Sequence, residues 1–229
     1  MTKLITYLPW DSSFFGLKIG FVNWASNMSV HSIEQLAQAS AYDLIYVFAP
    51  HTTCGIDFKH VDSKVIYSKS LGVGKVNECV KIADVNIDCD ALYRLALISG
   101  IYSRFKIDEK LPVGSYERMY KEWIKKSMSG DLADYIFVYR GQDGVNGMIT
   151  VKLTDTTANI GLIAVDYDAQ GRGIASKLIQ TVENYLYRLG SINTLTVATQ
   201  LANHNACHLY EKNGFKISSI TDIYHYWVK

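Results

Sequence analysis

One stretch, residues 159–215, constrains the fold of this chain more than any other. It contains two short apolar runs, Ile160–Val165 and Thr194–Ala198, and an amphipathic pattern follows each of them. We predict a strand, a loop, a helix, a strand and a helix in this order. Since a helix that connects two neighbouring strands makes them parallel, the stretch predicts a parallel pair within an α/β fold.

The first of these helices is predicted from its apolar face, and Gly190 marks its end. The apolar positions at helical spacing are Ile174, Ala175, Leu178, Ile179, Val182, Tyr185, Leu186 and Leu189. The preceding segment, Gln170–Gly173, has two glycines that let the backbone turn and point its N–H groups outward. Together with the helix dipole, this loop predicts an anion site that suits a pyrophosphate.

Dinucleotide cofactors fit this loop less well than another pyrophosphate ligand does. The fingerprint G-x-G-x-x-G is incomplete, and no acidic residue ends the strand Thr194–Ala198 to hold a ribose. A second glycine-containing segment, Gly72–Lys75, lacks the full spacing of a phosphate loop and the Ser or Thr after the lysine. We interpret that segment as a turn.

The overall composition excludes several classes of protein. Hydrophobic residues make up 48% and charged residues 20% of the chain, which predicts a folded protein with a substantial core. The net charge of +1 gives no electrostatic reason to expect nucleic acid or an anionic membrane as a partner. No apolar run reaches the ~20 residues of a membrane span, and the first residues lack a signal-peptide core. The four cysteines have no zinc-like spacing, so we expect reduced thiols in a cytoplasmic protein.

The rest of the chain predicts a second, smaller unit and an extension of the first. Residues 1–89 combine apolar runs with one amphipathic pattern, Val30–Ala41, and predict a small α/β unit packed closely on residues 90–229. In this unit we interpret Trp10–Gly16 as an aromatic turn pinned to the core, with a ligand-contacting loop as the alternative. Further on we predict helices at Ala91–Ser99, capped by Asp90, and at Tyr116–Met128. Two antiparallel strands joined by a turn at residues 142–144 follow.

The end of the central stretch carries a family resemblance. The patterns Gln170-x-Arg172-Gly173-x-Ala175 and Asn203-x-x-Ala206-x-x-Leu209-Tyr210-Glu211-Lys212-x-Gly214-Phe215 resemble the motifs of the GNAT (GCN5-related N-acetyltransferase) superfamily. The match covers residues 90–229. It implies an α/β (α+β) fold with a mixed, mostly antiparallel sheet in which the parallel pair splays apart. It also implies acetyl-CoA as the cosubstrate and no metal.

The same resemblance implies which residues hold acetyl-CoA. The pantetheine arm would pair with the strand at Ile163, Ala164 and Val165, and Asn203 would help to hold this arm. The pyrophosphate would bind the loop formed by Gln170, Gly171, Arg172, Gly173, Ile174 and Ala175.

Tyr210 is the residue that the resemblance implies as the catalytic acid. Attack of an amine on a thioester creates an oxyanion, which a backbone N–H near Val165, freed by the splay, is suited to stabilise. The attack then expels a thiolate that titrates near ~8.5, and a phenol that titrates near ~10 can protonate it. The alternative is that Tyr210 is a core aromatic of an amphipathic helix. His204 and His208 lie four residues apart, but no third ligand is evident, so we expect no metal site.

Short segments elsewhere in the chain indicate the chemical class of the acetyl acceptor. Leu8–Gly16 resembles the opening of the bacterial TDP-fucosamine acetyltransferases, which act in surface-polysaccharide biosynthesis. Further likenesses to that family are Ser103-Arg104-Phe105, Tyr120-x-x-Trp123-Ile124, Val197-Ala198-Thr199-Gln200 and Tyr226-Trp227. They imply acetylation of the primary amine of a nucleotide-linked deoxyamino sugar. The loop at residues 170–173 is complete, whereas we expect a shorter one in the nearest enterobacterial members. The acceptor of this protein can therefore be a different amino sugar.

The acceptor residues are assigned from the same resemblance. The general base of the family is an acidic residue of the N-terminal unit, and Asp62 matches its place; a solvated Asp at a strand end is the alternative. Arg104, Phe105 and Lys106 are the candidates for substrate binding, and the two cations would hold a nucleotide diphosphate unless they form a surface or structural pair. A peptide or small-metabolite amine as the acceptor, and a non-catalytic acetyl-CoA-binding module, remain alternatives. A homodimer is possible, since the last strand, Ile220–Val228, can pair in its own subunit or with a neighbour.

Overall fold

The computed structural model describes residues 4–84, 87–142 and 144–229, and the strands within them form one mixed sheet. Asp143, in the turn predicted at residues 142–144, lies outside the described residues. The strands are β1 Thr6–Tyr7, β2 Ile19–Asn23, β3 Leu44–Pro50, β4 Lys59–Ser70, β5 Val80–Ile82, β6 Tyr135–Gly141, β7 Gly144–Thr154, β8 Thr157–Val165, β9 Thr194–Gln200 and β10 Lys216–Trp227. Their order across the sheet is β1-β2-β3-β10-β4-β9-β8-β7-β6-β5.

The pairing confirms the predicted fold class. Strands β2 and β3 are parallel, as are β8 and β9, and the other neighbouring pairs are antiparallel. The parallel pair β8–β9 is the one predicted from residues 159–215, and the helix predicted after Gly173 connects its strands. The protein therefore has a mixed, mostly antiparallel sheet with helices on its faces.

The helices lie between the strands along the chain. They are α1 Pro9–Phe15, α2 Val30–Ala39, α3 Cys89–Ser99, α4 Arg104–Ile107, α5 Ser115–Met128, α6 Ile174–Leu189 and α7 His204–Lys212, and a short 3₁₀ helix spans Tyr167–Ala169. Ser29 caps α2 and forms a capping box with Ser32. None of the helices in the described part of the chain combines the length and apolarity needed to cross a membrane.

Two local predictions are wrong. The segment interpreted as an aromatic turn is the helix α1, because Pro9 at its first position favours a helix start and Gly16 ends it with a left-handed conformation. Helix α3 begins earlier than predicted, and Asp88 rather than Asp90 is its cap. The Asp88 carboxylate accepts a hydrogen bond from the backbone N–H of Ala91.

The last strand lies at the centre of its own sheet. Strand β10 pairs with β3 from Thr221 to Trp227 and with β4 from Lys216 to His225. The sequence leaves open a pairing with a neighbouring subunit, whereas in the structure both partners of this strand belong to the same chain. Residues 1–89 and 90–229 thus both contribute strands to one sheet, in which β10 lies between β3 and β4. Their division into two domains stays a prediction.

Apolar side chains cover both faces of the sheet near β8. On one face, Leu162 and Ala164 of β8 belong to a core cluster with α3 and α5. On the other face, Val165 and Ile160 belong to a cluster with α6 and α7. Burying one large aliphatic side chain contributes ~1.5–3 kcal/mol, so these clusters hold β8 firmly between two helical layers.

Candidate functional site

The parallel strands β8 and β9 separate halfway along their length. Their pairing runs from Thr157 with Thr194 to Ile160 with Val197, and stops there within the described residues. Beyond this point β8 still pairs with β7, and β9 still pairs with β4. The edge of β8 that faces β9 therefore has no strand partner at residues 161–165, which is the splay that the family resemblance implies.

A bulge in β8 accompanies the separation. Between two ladder pairs that involve Ile160 and Ile163, β8 has two residues where β7 has only Thr150. The backbone N–H of Leu162 donates to the hydroxyl of Thr150 at 2.8 Å. Because a bulge bends its strand and increases the local twist, it directs the end of β8 away from β9.

A cleft of about 950 Å³ occupies the gap and is lined from both layers of helices. The layer of α6 and α7 contributes the loop before α6 and Tyr210. The opposite side contributes α4, α5 and two residues of β4, Asp62 and Lys64. The cleft therefore joins the predicted donor residues to the predicted acceptor residues across the sheet.

The loop before α6 is shaped to receive an anion. Gly171 and Gly173 have φ angles of 74° and 73°, which favour glycine, and a Cβ atom added at either position would meet nothing within 4 Å. The open space lets a ligand approach the backbone at the N-terminus of α6, where the helix dipole favours negative charge. The Gln170 side chain holds the loop by donating to the Val165 carbonyl at 3.0 Å.

Most of the residues predicted to hold acetyl-CoA line the cleft. They are Ile163, Ala164, Val165, Gln170, Gly171, Gly173, Ile174, Ala175 and Asn203. Arg172 does not line it, and its guanidinium donates instead to the carbonyl of Asp168 at 2.9 Å. Asn203 has a structural task as well, because its side chain caps α7 by accepting from the N–H of Ala206.

Tyr210 lies on α7 with its ring packed between two other aromatic rings. The ring centroids of Tyr67 and Phe215 lie 5.6 and 5.7 Å from that of Tyr210. Tyr210 is only 2% exposed, and this burial raises the pKa of its hydroxyl well above the ordinary value. It therefore keeps its proton at neutral pH, as a proton donor must.

Asp62 lies on the other side of the cleft, in β4. It is 8% exposed, and its Oδ1 atom is buried without a hydrogen-bond partner among the described residues. Burial raises the pKa of Asp62 to about 6, although the nearby Arg104 acts in the opposite direction. A buried carboxylate of this kind is a stronger base than a solvated one, so the interpretation as a solvated strand-end Asp does not fit its surroundings.

Arg104 begins α4 and lies above the sheet next to Asp62. Its guanidinium carbon is 4.4 Å from the ring centroid of Phe105, 5.0 Å from that of Tyr46 and 5.7 Å from that of Phe48. Its Nε atom is buried without a partner among the described residues. Phe105 also lines the cleft, whereas Lys106 does not; its ammonium lies 5.2 Å from the ring centroid of Tyr116.

The lining residues that the sequence alone does not assign to the site include Tyr120, Trp123 and Lys64. In the sequence, Tyr120 and Trp123 belong only to a motif that resembles the TDP-fucosamine acetyltransferases, and their helical spacing favours a place in the core. In the structure both line the cleft. Lys64 belongs to no motif. The sequence could have indicated Lys64 only through its position two residues after Asp62, since residues two apart in a strand point to the same face of the sheet.

A buried ionic network supports the acceptor side from below. The Asp108 carboxylate accepts from Lys59 at 2.9 Å, from His225 Nδ1 at 2.6 Å and from Trp227 at 2.9 Å. Burial alone would raise the pKa of Asp108, but these donors hold it well below its ordinary value. Burial lowers the pKa of His225, whose ring stacks on Tyr46 with centroids 4.7 Å apart. The network thus holds His225 in place, and His225 in turn supports Tyr46, one of the aromatic rings that pack against Arg104.

No group of three or more His, Cys, Asp or Glu side chains among the described residues is arranged to hold a metal ion. Of the two α7 histidines, His204 and His208, His208 lines the cleft.

Comparison with solved structures shows where this fold occurs. The structure resembles a functionally unknown conserved protein from Staphylococcus epidermidis ATCC 12228, with a TM-score of 0.69 and 12% identity, over 100% of this chain and 93% of that one. It also resembles a GCN5-related N-acetyltransferase from Sphaerobacter thermophilus, with a TM-score of 0.58 and 16% identity, over 87% of this chain and 67% of that one. At these identities the likeness concerns the fold.

Sequence comparison identifies the family. Over 144 residues the chain is 30% identical to the spore coat polysaccharide biosynthesis protein SpsD of Bacillus subtilis (strain 168). The match covers 61% of this chain and 48% of that relative, so the chain spans about half of the relative's length. The model of the acetyltransferase (GNAT) family matches residues 98–215, just over half of the chain. The protein therefore belongs to the GNAT family of acetyltransferases.

Proposed function

We propose that the protein transfers the acetyl group of acetyl-CoA to the primary amine of a nucleotide-linked deoxyamino sugar of the TDP-fucosamine kind. Proteins of the GNAT family use acetyl-CoA. The observation that carries the proposal is the cleft at the splay, which has a buried tyrosine on one side and a buried carboxylate on the other. The similarity to a protein of polysaccharide biosynthesis supports a sugar as the acceptor.

The donor would bind along β8 and the loop before α6. The free edge of β8 at Ile163–Val165 offers backbone groups to the amides of the pantetheine arm. The backbone N–H groups at Gly171 and Gly173 would receive the pyrophosphate, because nothing fills the space beside them. The reacting thioester would then lie in the gap between β8 and β9, near Tyr210.

Asp62 would act as the general base. The acceptor arrives as an ammonium ion and has to lose a proton before it can attack the thioester. With a pKa of about 6, Asp62 is ionised at neutral pH, yet it is more basic than a solvated carboxylate. It would take the proton directly or through a water molecule.

Tyr210 would act as the general acid. As the new C–N bond forms and the C–S bond breaks, the sulfur gains negative charge, and the Tyr210 hydroxyl can donate its proton to it. Backbone N–H groups at the free edge of β8 would stabilise the oxyanion before it collapses. The products are the acetylated amine and free coenzyme A. The second proton that the amine nitrogen loses restores the Tyr210 hydroxyl, and the proton held by Asp62 returns to solvent.

The test is a panel of acceptors in an assay of thiol release from acetyl-CoA. The panel contains nucleotide-linked 4-amino sugars, the same amino sugars without the nucleotide, lysine peptides and polyamines. We expect the highest kcat/KM with a nucleotide-linked amino sugar. Tyr210→Phe should lower kcat while acetyl-CoA still binds, and Tyr187→Phe, an exposed tyrosine of α6, is the matched control.

Two outcomes would overturn the proposal. If peptide amines or polyamines exceed every amino sugar in kcat/KM, the acceptor class is wrong. If acetyl-CoA binds but no amine of the panel is acetylated, the protein is a non-catalytic acetyl-CoA-binding module.

A further inference from the structure

Two cations on the acceptor side of the cleft lack an ionic partner. Lys64 and Arg104 both line the cleft, and neither side chain makes a hydrogen bond or ion pair to any described residue. Outside the cleft, by contrast, Lys59 is paired with Asp108 and Lys69 with Glu183. A cation that is partly buried without a counter-ion is costly unless a ligand supplies the negative charge.

The two cations converge on the same region beside the proposed base. Lys64 lies two residues after Asp62 in β4, so both side chains point to the same face of the sheet. Burial lowers the pKa of Lys64, and the positive charge of Arg104 lowers it further. Asp62 is the one carboxylate among the described residues that line the cleft, and it cannot neutralise two cations.

Arg104 is held in a fixed orientation for binding. Three aromatic rings surround its guanidinium within 5.7 Å, and its buried Nε has a proton to donate but no acceptor among the described residues. The planar guanidinium matches the oxygen atoms of a phosphate in a bidentate arrangement, while a lysine serves as a point charge. An arginine and a lysine together are therefore suited to a phosphate group.

We propose that Lys64 and Arg104 bind a phosphate of the acceptor, and that Lys64 rather than Lys106 is the second cation of this site. The inference rests on the proposed function, since it assigns a part of the same acceptor. Residues two apart in a strand are separated by ~7 Å, about the span of a hexose ring with its anomeric oxygen. An amine held at Asp62 would thus belong to a sugar whose phosphate lies next to Lys64. The enzyme would select phosphorylated amino sugars over free ones.

Kinetics with a matched pair of acceptors tests the proposal. The pair is a nucleotide-linked amino sugar and the same amino sugar without its nucleotide, and Lys64→Met is compared with the control Lys106→Met. We expect Lys64→Met to raise the KM for the nucleotide-linked sugar by roughly 10- to 100-fold, the range for a lost charged hydrogen bond. The KM for acetyl-CoA and the kcat/KM for the free sugar should stay the same. Lys64→Arg should restore most of the affinity for the nucleotide-linked sugar. Lys106→Met should leave the kinetic constants for both acceptors unchanged.

Equilibrium binding decides the proposal independently of turnover. With coenzyme A at saturation to fill the donor site, calorimetry should detect thymidine diphosphate binding to the wild type and a loss in Lys64→Met, whose fold is checked by circular dichroism. The proposal is overturned if Lys106→Met reduces this binding and Lys64→Met does not, or if Lys64→Met affects both acceptors equally. If the wild type acetylates no amino sugar, the proposed function fails, and the calorimetric result still decides whether Lys64 binds a phosphate.

Discussion

Replacing Asp62 with Asn is expected to stabilise the protein at neutral pH although it slows acetyl transfer. The carboxylate is buried, and its pKa is raised from 3.8 to about 6. At about 1.4 kcal/mol per pKa unit, the ionised carboxylate costs the folded state roughly 3 kcal/mol. Asparagine has nearly the same shape and no charge, so the variant avoids this cost.

The sign of the effect follows from which state binds the proton. Between about pH 4 and about pH 6 the folded protein keeps the proton on Asp62 while the unfolded chain has lost it. The stability of the wild type therefore falls as pH rises through this window, and the loss is complete above the folded pKa. The asparagine side chain of the variant does not titrate in this range. The advantage of Asp62→Asn should thus grow from near zero at about pH 4 to its full size at about pH 7.

Urea unfolding at about pH 5 and about pH 7.5 measures this difference. Asp57→Asn is the control, because Asp57 lies shortly before β4 in the sequence but is exposed. In parallel, kcat/KM for the amine acceptor should fall by ~10²- to 10⁴-fold in Asp62→Asn, and the limb of the pH profile near pKa 6 should disappear.

Either half of the experiment can refute the reasoning. If Asp62→Asn has the same urea midpoint as the wild type at both pH values, Asp62 is not a buried charge. If the variant is more stable at neutral pH but keeps its turnover, the burial is correct and the role as the general base is wrong.

Three further substitutions test other parts of the site. Tyr210→Phe should lower kcat by ~10²-fold or more and leave the Kd of acetyl-CoA within a few-fold, as measured by calorimetry; an unchanged kcat would make Tyr210 a core aromatic. Gly173→Ala and Gly190→Ala both force alanine into φ 73° and should each cost ~1–2 kcal/mol in urea unfolding, but only Gly173→Ala should raise the KM for acetyl-CoA. Asp108→Ala should cost ~3–5 kcal/mol, because it leaves Lys59 and His225 without their buried partner; a smaller loss would mean that the network is hydrated.

The parts of the fold that could be predicted from the sequence are those with a strong local period. The apolar face of α6 and the runs of β8 and β9 have spacings that only one secondary structure satisfies, and both glycines that bound α6 stand where the helix begins and ends. The sequence does not locate the cap of α3, because Asp88 and Asp90 both precede the apolar pattern and composition does not choose between two aspartates.

Other features depend on contacts between distant residues, so a local pattern does not contain them. Asp62 could be proposed only by family resemblance, because its surroundings come from elements distant in sequence: α4 contacts β4, and β10 pairs with β4 at Asp62. The sequence does not point to Lys64, because a strand that is half buried on both faces lacks a clear alternation of polar and apolar residues. Lys106 and Arg104 are close in sequence, which favours a shared role, but α4 turns their side chains in different directions.

The central position of β10 has a consequence for how the acceptor wall forms during synthesis. Strand β4, which carries Asp62 and Lys64, is made early, yet its neighbour β10 is the last of the described helices and strands to be made. Strand pairs that are distant in sequence form slowly, and chains emerge from the ribosome N-terminus first. Until β10 inserts, β3 and β4 each expose an unpaired edge that can join with another nascent chain. The acceptor side of the cleft thus forms late in the folding of this protein. The donor loop at residues 170–175 can form earlier, because it depends on local structure.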